Sequence, residues 1–463
     1  MLLKNNIKEI KSIIKNDENF LCSEEECYCY AQDATNMQSN EISPDIVVFV
    51  ETIEEVQNLL RYANQHKIPV VSRGAGTNMV GACTCPKGGI VLNFSKMNKI
   101  LDFNPVNMTV KVQPGVIIGD LKNFVEEKGL YYPPDPSNYK VSTIGGSIAQ
   151  SSGGAKSFKY GTTKDYILSL TVVLADGTLM KLGSGMLKDA VGYHLNQLIV
   201  GSEGTLAIVV EAELKLIPKP DFSGLIIGYF DDFEDSINCV NSVVVSNIYP
   251  STIEFMDNNT IKTVERFKHC GLDTTKDALL LIEVEGNEKS VKEDLNKVFD
   301  VVSQNNASLI KVSTEKNEME EIWSARRASF AASAQLAPNV VSDDIIVPRK
   351  NLVEMVKGCK RICNKYNLNL CMVGHAGDGN IHPQIALDLS NDIEFKNYQK
   401  AKSEMYKLAK ALDGTVSAEH GVGVEKMNYI VHFLDTNSIE CMKRIKMLFD
   451  PNNILNPDKI FKI

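Results

Sequence analysis

No stretch of this 463-residue chain approaches the roughly 18 consecutive apolar residues that a membrane-spanning helix needs. The opening MLLKNNIKEIKSIIKND scatters Lys, Asn and Asp among Ile and Leu, so it lacks the unbroken apolar core of a secretory signal, and the expectation is a cytoplasmic protein. Positive charge is in deficit. There are 49 Lys and Arg against 58 Asp and Glu, a net charge of -9, which argues against a nucleic-acid or acidic-lipid surface and for a small-molecule or protein partner. Neither Gly-rich loop reads G-x-G-x-x-G opening a helix, and no G-x-x-x-x-G-K-[ST] occurs, which excludes Rossmann and Walker architectures. The eleven cysteines lack a metal-cluster pattern: Cys22, Cys27 and Cys29 fall one residue short of C-x4-C-x2-C, and no fitting fourth cysteine follows. They are expected to be free thiols. Cys83 and Cys85 read as two small residues close to a ligand.

What is present is ordinary globular material, 44% hydrophobic and 23% charged, long enough for two or three domains. Ile7, Ile10, Ile13 and Ile14 share one side of an N-terminal amphipathic helix. Up to about residue 219, short β-branched runs alternate with helices and turns. Strands are expected at Ile46 to Val50, Ile68 to Ser72, Ile90 to Phe94, Thr109 to Gln113, Leu168 to Leu174 and Leu206 to Ile217, and Thr52 caps a helix to about Gln65. From Phe222 to about residue 390, strands such as Leu279 to Val284 and Leu368 to Val373 alternate with long polar helices. A helix through Leu412 and a short C-terminal stretch follow. There is no internal repeat, so the expected architecture is two domains plus a returning C-terminal segment.

Arg73-Gly74-Ala75-Gly76-Thr77-Asn78 follows a strand directly, and its glycines, hydroxyl and amide let successive backbone N–H groups approach an anion such as a pyrophosphate. Ser142-Thr143-Ile144-Gly145-Gly146-Ser147, continuing to Ser152-Gly153-Gly154, is a second small-residue stretch that could line the other side of the same ligand. Taken singly, each is as well explained by glycines turning corners.

The sharpest motif is His375-Ala-Gly-Asp378-Gly-Asn380-Ile-His382. Gly377-Asp378-Gly379 is a turn signal, so the two histidines flank a hairpin and can face one pocket. Two imidazoles there suit a transition metal, and Glu419-His420-Gly421-Val422-Gly423 offers an acidic third ligand.

With PVVSRGAGTN, Pro133 to Ser137 (PPDPS), STIGGSIAQSSGG, Lys159-Tyr160-Gly161, and GSEGTLAIV at Gly201 to Val209, the chain resembles the vanillyl-alcohol-oxidase-type FAD family, in its D-lactate dehydrogenase and glycolate oxidase large-subunit branch. The motifs match in order, and the resemblance runs from about residue 40 to the end. It implies an α+β fold: a helical segment over 1–38, a two-subdomain FAD-binding domain over 39–219, an α+β cap (substrate) domain over 220–405, and a segment over 406–463 that returns to the flavin. It implies FAD held by Arg73, Gly74, Ala75, Gly76, Thr77, Asn78, Pro134, Asp135, Thr143, Gly145, Gly146, Ser147, Ser152, Gly153, Tyr160, Glu203, Gly204, Ile208 and Asn456. Members that tether FAD do so through a histidine in these loops; none stands here, so FAD should be non-covalent.

The resemblance further implies that His375, His382 and Glu419 hold a divalent metal (Fe, Zn or Mn), with His420 as general base. Trp323-Ser-Ala-Arg326-Arg327 matches the family's W-x-x-R element, making Arg326 the clamp for a substrate carboxylate. Asp378 and Asn380 read as turn and supporting groups. The implied reaction is oxidation of a D-2-hydroxy acid to the 2-oxo acid, with the C2 hydride passing to the flavin and the hydroxyl proton to His420. The D-2-hydroxyglutarate branch carries a Thr and a Lys able to hold a distal carboxylate; this chain has Phe330 and Ser342 there. A short monocarboxylate is therefore expected, lactate first, then glycolate or 2-hydroxybutyrate. Glycolate and D-2-hydroxyglutarate dehydrogenases are the alternatives within the family. A metal-dependent hydrolase is the rival from another class. With no iron–sulfur or haem motif in the chain, electrons are expected to leave to a partner protein, electron-transfer flavoprotein first.

Overall fold

The structure, a computed structural model, describes residues 4–35 and 43–463, so the expected boundary at 38/39 lies outside the described residues. The chain divides into two compact units. The first comprises Met1–Ser152, Thr162–Lys219 and Glu419–Ile463; the second comprises Gly153–Gly161 and Pro220–Ala418. No helix among the described residues is long and apolar enough to cross a membrane.

In the first unit, strands Ile46–Phe49 and Val70–Arg73 flank Ile90–Asn93 in parallel, with Phe20–Leu21 antiparallel at the edge. The crossover is the helix Ile53–His66. Thr52 begins it with a capping box in which Thr52 and Glu55 satisfy each other's exposed N–H groups. Val56, Leu59, Leu60 and Ala63 form its buried face. The N-terminal helix Lys4–Ile13 buries Ile10 in the same core, and Ile454 and Leu455 from the C-terminal stretch join it there. Val70 N–H donates to Ile454 O at 2.7 Å, so the last residues are built into this unit's sheet.

A five-stranded antiparallel sheet follows, ordered Ile100–Asn104, Thr109–Val112, Ile208–Lys215, Ile167–Val173, Leu179–Leu182. Ile208–Lys215 alternates buried and half-buried residues, the period-2 pattern of a strand with one face on the core. The run expected from Leu206 to Ile217 is broken. Leu216 N–H bonds Met108 O, and Ile217–Pro218 pairs instead with Leu130–Tyr131. The small-residue stretch after Ser142 is not all loop: Ile144–Gln150 is a helix, because Thr143 Oγ1 accepts from Gly146 N–H at 3.2 Å and caps it.

The second unit is built on an eight-stranded antiparallel sheet. Its order is Ala307–Ser313, Phe222–Phe230, Ala278–Gly286, Thr252–Asp257, Asn369–His375, Asn380–Leu387, Asn339–Ser342, with Ile345–Ile346 also on Asn380–Leu387. The hairpin expected around Gly377-Asp378-Gly379 joins Asn369–His375 to Asn380–Leu387. Gly153–Gly161 is secured to this unit by lysines: Lys156 pairs with Glu283 at 3.2 Å and Glu285 at 2.7 Å, and Lys159 donates to Glu285 O at 3.1 Å.

Candidate active site

In the first unit the two small-residue segments meet. Thr77 Oγ1 and Ser142 Oγ share a hydrogen bond at 3.2 Å, and Ser142 donates on to Asn138 Oδ1 at 2.6 Å. Gly74 has to be glycine for this approach, since a Cβ there would run into Thr143 Oγ1. The segments line an open cleft with a cavity volume of about 170 Å³. Of the expected cofactor residues, Arg73, Gly74, Ala75, Gly76, Thr77, Asn78, Thr143, Gly145, Gly146, Ser147, Ser152, Glu203, Gly204 and Ile208 line it, together with Glu419 and His420. Cys83 lines it as well; burial pushes its thiol up to about 12, so it stays a neutral, compact neighbour.

Two features fit the cleft to an anionic nucleotide. Arg73 is buried, and its Nη1 has no hydrogen-bond partner among the described residues, which a phosphate oxygen would supply. Gly74, Ala75, Gly76, Gly145, Gly146 and Ser147 line it with small side chains or none, so a ligand can approach the backbone closely. The remaining expected cofactor residues do not line the cleft. Pro134 is buried, Asp135 pairs with Lys122 at 3.0 Å, Gly153 and Tyr160 belong to the second unit, and Asn456 Nδ2 donates to Ala82 O and Glu203 O.

His420 is placed by backbone. Asn78 Nδ2 donates to His420 O at 3.2 Å, while the carboxylate of Glu203 accepts from Val422 N–H at 2.6 Å and Gly423 N–H at 2.8 Å. Burial pushes the Glu203 carboxyl up and these two N–H donors pull it down, with burial the larger effect.

In the second unit, strand register gathers the histidines. Glu254 lies directly opposite His375, Asn380 is the other neighbour of His375, and His382 pairs with Val373. Cross-strand partners share a face and alternate residues return to it, so Glu254, His375, Asn380 and His382 all project from one side of the sheet. The two imidazole centroids are 5.1 Å apart at 83°. His375 Nδ1 lies 2.6 Å from Glu254 Oε1, and His382 Nδ1 lies 3.3 Å from Asp343 O. A carboxylate or carbonyl on Nδ1 directs the lone pair of a neutral ring to Nε2, the arrangement of metal-binding histidines. The donor chemistry therefore fits a divalent cation.

Arg326, near the end of the helix Lys316–Arg327, is buried, with Nη2 2.6 Å from Glu254 Oε2 and Nη1 donating to Ser329 Oγ at 3.4 Å. Its Nε has no hydrogen-bond partner among the described residues, so a donor remains for a small anion. Arg327 instead pairs with Glu320. Trp323 Nε1 donates to Glu283 Oε2 at 2.6 Å.

Two buried carboxylates here escaped sequence reading. Glu254 sits in the apolar strand Thr252–Asp257, where an isolated acid is a signal that something must pair with it. Asp344, fully buried, accepts from Asn380 Nδ2 at 2.9 Å, from Ser417 Oγ at 3.1 Å and from Ala418 N–H at 2.9 Å. It thus anchors the residue that precedes Glu419. Asn380, expected as a supporting group, is the link in that anchor.

The family of FAD linked oxidases, C-terminal domain, matches residues 220–460, and the FAD binding domain matches residues 44–183. The chain is 40% identical over 461 residues to a glycolate oxidase subunit GlcD of Bacillus subtilis, covering 99% of this chain and 97% of that one. It is 35% identical over 430 residues to a D-lactate dehydrogenase of Anaerostipes hadrus, covering 90% and 89%. Among solved structures it is similar to p-cresol methylhydroxylase with substrate bound, at TM-score 0.85 and 17% identity, covering 99% of this chain and 96% of that chain. It is also similar to 4-ethylphenol oxidase from Gulosibacter chungangensis, at TM-score 0.80 and 18% identity, covering 99% and 97%. These two likenesses show the vanillyl-alcohol-oxidase-type fold.

Proposed function

Because the chain belongs to the FAD-linked oxidases and is an FAD-linked oxidoreductase, we propose that it oxidises a small D-2-hydroxy acid, D-lactate first, to the 2-oxo acid. The observation that carries this reading is the sheet face of the second unit, where two histidines with engaged Nδ1 atoms stand beside a buried arginine. A short hydroxy acid asks for these groups: a cation site for its hydroxyl and carboxylate, and a guanidinium for the carboxylate.

When bound, FAD supplies the hydride acceptor and a divalent cation supplies Lewis-acid polarisation of the substrate hydroxyl. The residues that hold FAD are those lining the first unit's cleft, without a covalent tether. His375, His382 and Glu419 hold the metal, which is Fe, Zn or Mn by donor type. Arg326 receives the substrate carboxylate and fixes its orientation. His420 accepts the hydroxyl proton, its backbone held by Asn78 and the Glu203-bound segment. The same reading divides labour among an FAD-binding region over 39–219, a substrate region over 220–405 and a C-terminal region over 406–463. It places the protein in the cytoplasm, with electrons passing to electron-transfer flavoprotein or another accepting subunit.

Phe330 and Ser342 offer no cation for a second carboxylate, which supports a monocarboxylate substrate. Glycolate is the second reading, favoured by the 40% identity to a glycolate oxidase subunit. The test is the absorbance spectrum of the purified protein under anaerobic conditions with D-lactate, L-lactate and glycolate added separately. Flavin bands that bleach with D-lactate and not with L-lactate support the proposal. Bleaching by glycolate alone selects the second reading, and bands that persist with all three overturn both. Reduction of purified electron-transfer flavoprotein in a coupled assay tests the acceptor.

A further inference from the structure

We propose that Glu254 is a positioning residue that ties the metal-ligand histidine His375 to the substrate clamp Arg326, so that one buried carboxylate sets both metal affinity and substrate affinity. The inference rests on the reading of His375 and Arg326 given above. Glu254 is 1% exposed, on a strand whose every residue is buried. Strand register sets it directly across from His375, with Oε1 2.6 Å from His375 Nδ1, while Oε2 lies 2.6 Å from Arg326 Nη2.

Each oxygen has a separate task. The first fixes the ring angle and tautomer of His375, since an Nδ1–H donated to a carboxylate leaves the Nε2 lone pair to a metal and raises its basicity. The second lies 2.6 Å from Nη2 of a guanidinium that is 8% exposed, an ion pair that is not aligned as a hydrogen bond, and holds that charge in place beside the buried Nε, which has no hydrogen-bond partner among the described residues. Both partners draw on one charge. A neutral side chain in its place would leave Arg326 buried without its counter-ion, and an amide would offer His375 only an uncharged, weaker acceptor. A carboxylate that served only to fill the sheet would have no reason to contact both groups, and its loss would appear as instability alone.

Glu254→Gln keeps the shape and removes the charge. Far-UV circular dichroism and the flavin absorbance of the holoenzyme check that the variant is folded. The affinity of metal-depleted holoenzyme for Zn²⁺ or Mn²⁺, read by chelator competition without substrate, is expected to fall about 10- to 100-fold. In metal-saturated enzyme, KM for D-lactate is expected to rise about tenfold with a smaller change in kcat. In an Arg326→Met background the KM penalty of Glu254→Gln should vanish while the metal penalty remains.

If E254Q does not accumulate in folded form, Glu254→Asp replaces it. Aspartate keeps the charge but is one methylene short of spanning both partners, so both affinities are expected to weaken. A folded variant with unchanged metal affinity and unchanged KM overturns the inference while leaving the reaction assignment standing. Wild-type protein that binds no metal and is reduced by no D-2-hydroxy acid overturns both.

Discussion

The carboxylate of Glu203 accepts a hydrogen bond from the backbone N–H of Gly423, 220 residues further along the chain, at 2.8 Å. Its other oxygen takes Val422 N–H, so a side chain from the GSEGTL motif holds the backbone on the C-terminal side of His420. Gly421, just before these contacts, sits at φ 85, where a Cβ would strike Gln150 Oε1. The segment is thus fixed by acceptors and space rather than by secondary structure. Glu203→Ala would strand two N–H groups, at a cost of about 2–5 kcal/mol. The expected outcome is that loss in urea unfolding, together with a slower anaerobic flavin reduction. Glu203→Gln, which retains one acceptor oxygen, should recover about half of the stability.

His420 is expected to separate chemistry from binding. His420→Ala leaves the cofactor loops intact, so the flavin spectrum should be unchanged. If the imidazole accepts the hydroxyl proton, the rate of flavin reduction should fall about 10²- to 10⁴-fold with little change in KM. Single-turnover stopped-flow measurement of the flavin band distinguishes this from a binding defect, which would raise KM and spare the rate at saturation.

What the sequence made legible was local. The capping box at Thr52 and Glu55, the Gly377-Asp378-Gly379 hairpin and the alternation over Ile208–Lys215 each fit within one turn or one strand. The helix Ile144–Gln150 was hidden because Gly and Ser disfavour helix, and only Thr143 in the capping position marks its start. Glu254 and His375 are 121 residues apart, and Asn78 and His420 are 342 apart. Strand register brings the first pair together and the C-terminal return the second. Neither leaves a short-range trace, so a buried acid in T-I-E-F-M-D announces a partner without naming it.

Glu285 should give the second unit an acid-sensitive component. Burial disfavours its charged form, but Lys156 and Lys159 outweigh that and hold its carboxyl below the ordinary glutamate value of 4.5. A depressed folded-state value stabilises the protein above the unfolded value, and the contribution is lost as pH falls through the folded one. Urea midpoints of wild type and Glu285→Gln should therefore converge as pH is lowered from about 7 to below about 4. Midpoints that stay equally separated across that range would remove Glu285 from this role.

On the proposed reading, substrate range turns on the positions one helical turn beyond Arg326 and just before Asp343. Phe330 is half-buried on the helix Ser329–Ser333, and Ser342 ends the strand Asn339–Ser342 opposite Gln384. Neither side chain can neutralise a second carboxylate, and an unpaired buried charge costs several kcal/mol, which corresponds to a factor of about 10²–10³ in kcat/KM. D-2-hydroxyglutarate should accordingly reduce the wild-type flavin at least about 10²-fold less efficiently than D-lactate. Ser342→Lys with Phe330→Thr introduces a cation and the room for it to meet the distal carboxylate. The expected result is a rise in kcat/KM for D-2-hydroxyglutarate and a fall for D-lactate, whose methyl group would then face a desolvated ammonium. Equal efficiency of the two acids with the wild-type protein would show that selection against the dicarboxylate does not reside at these positions.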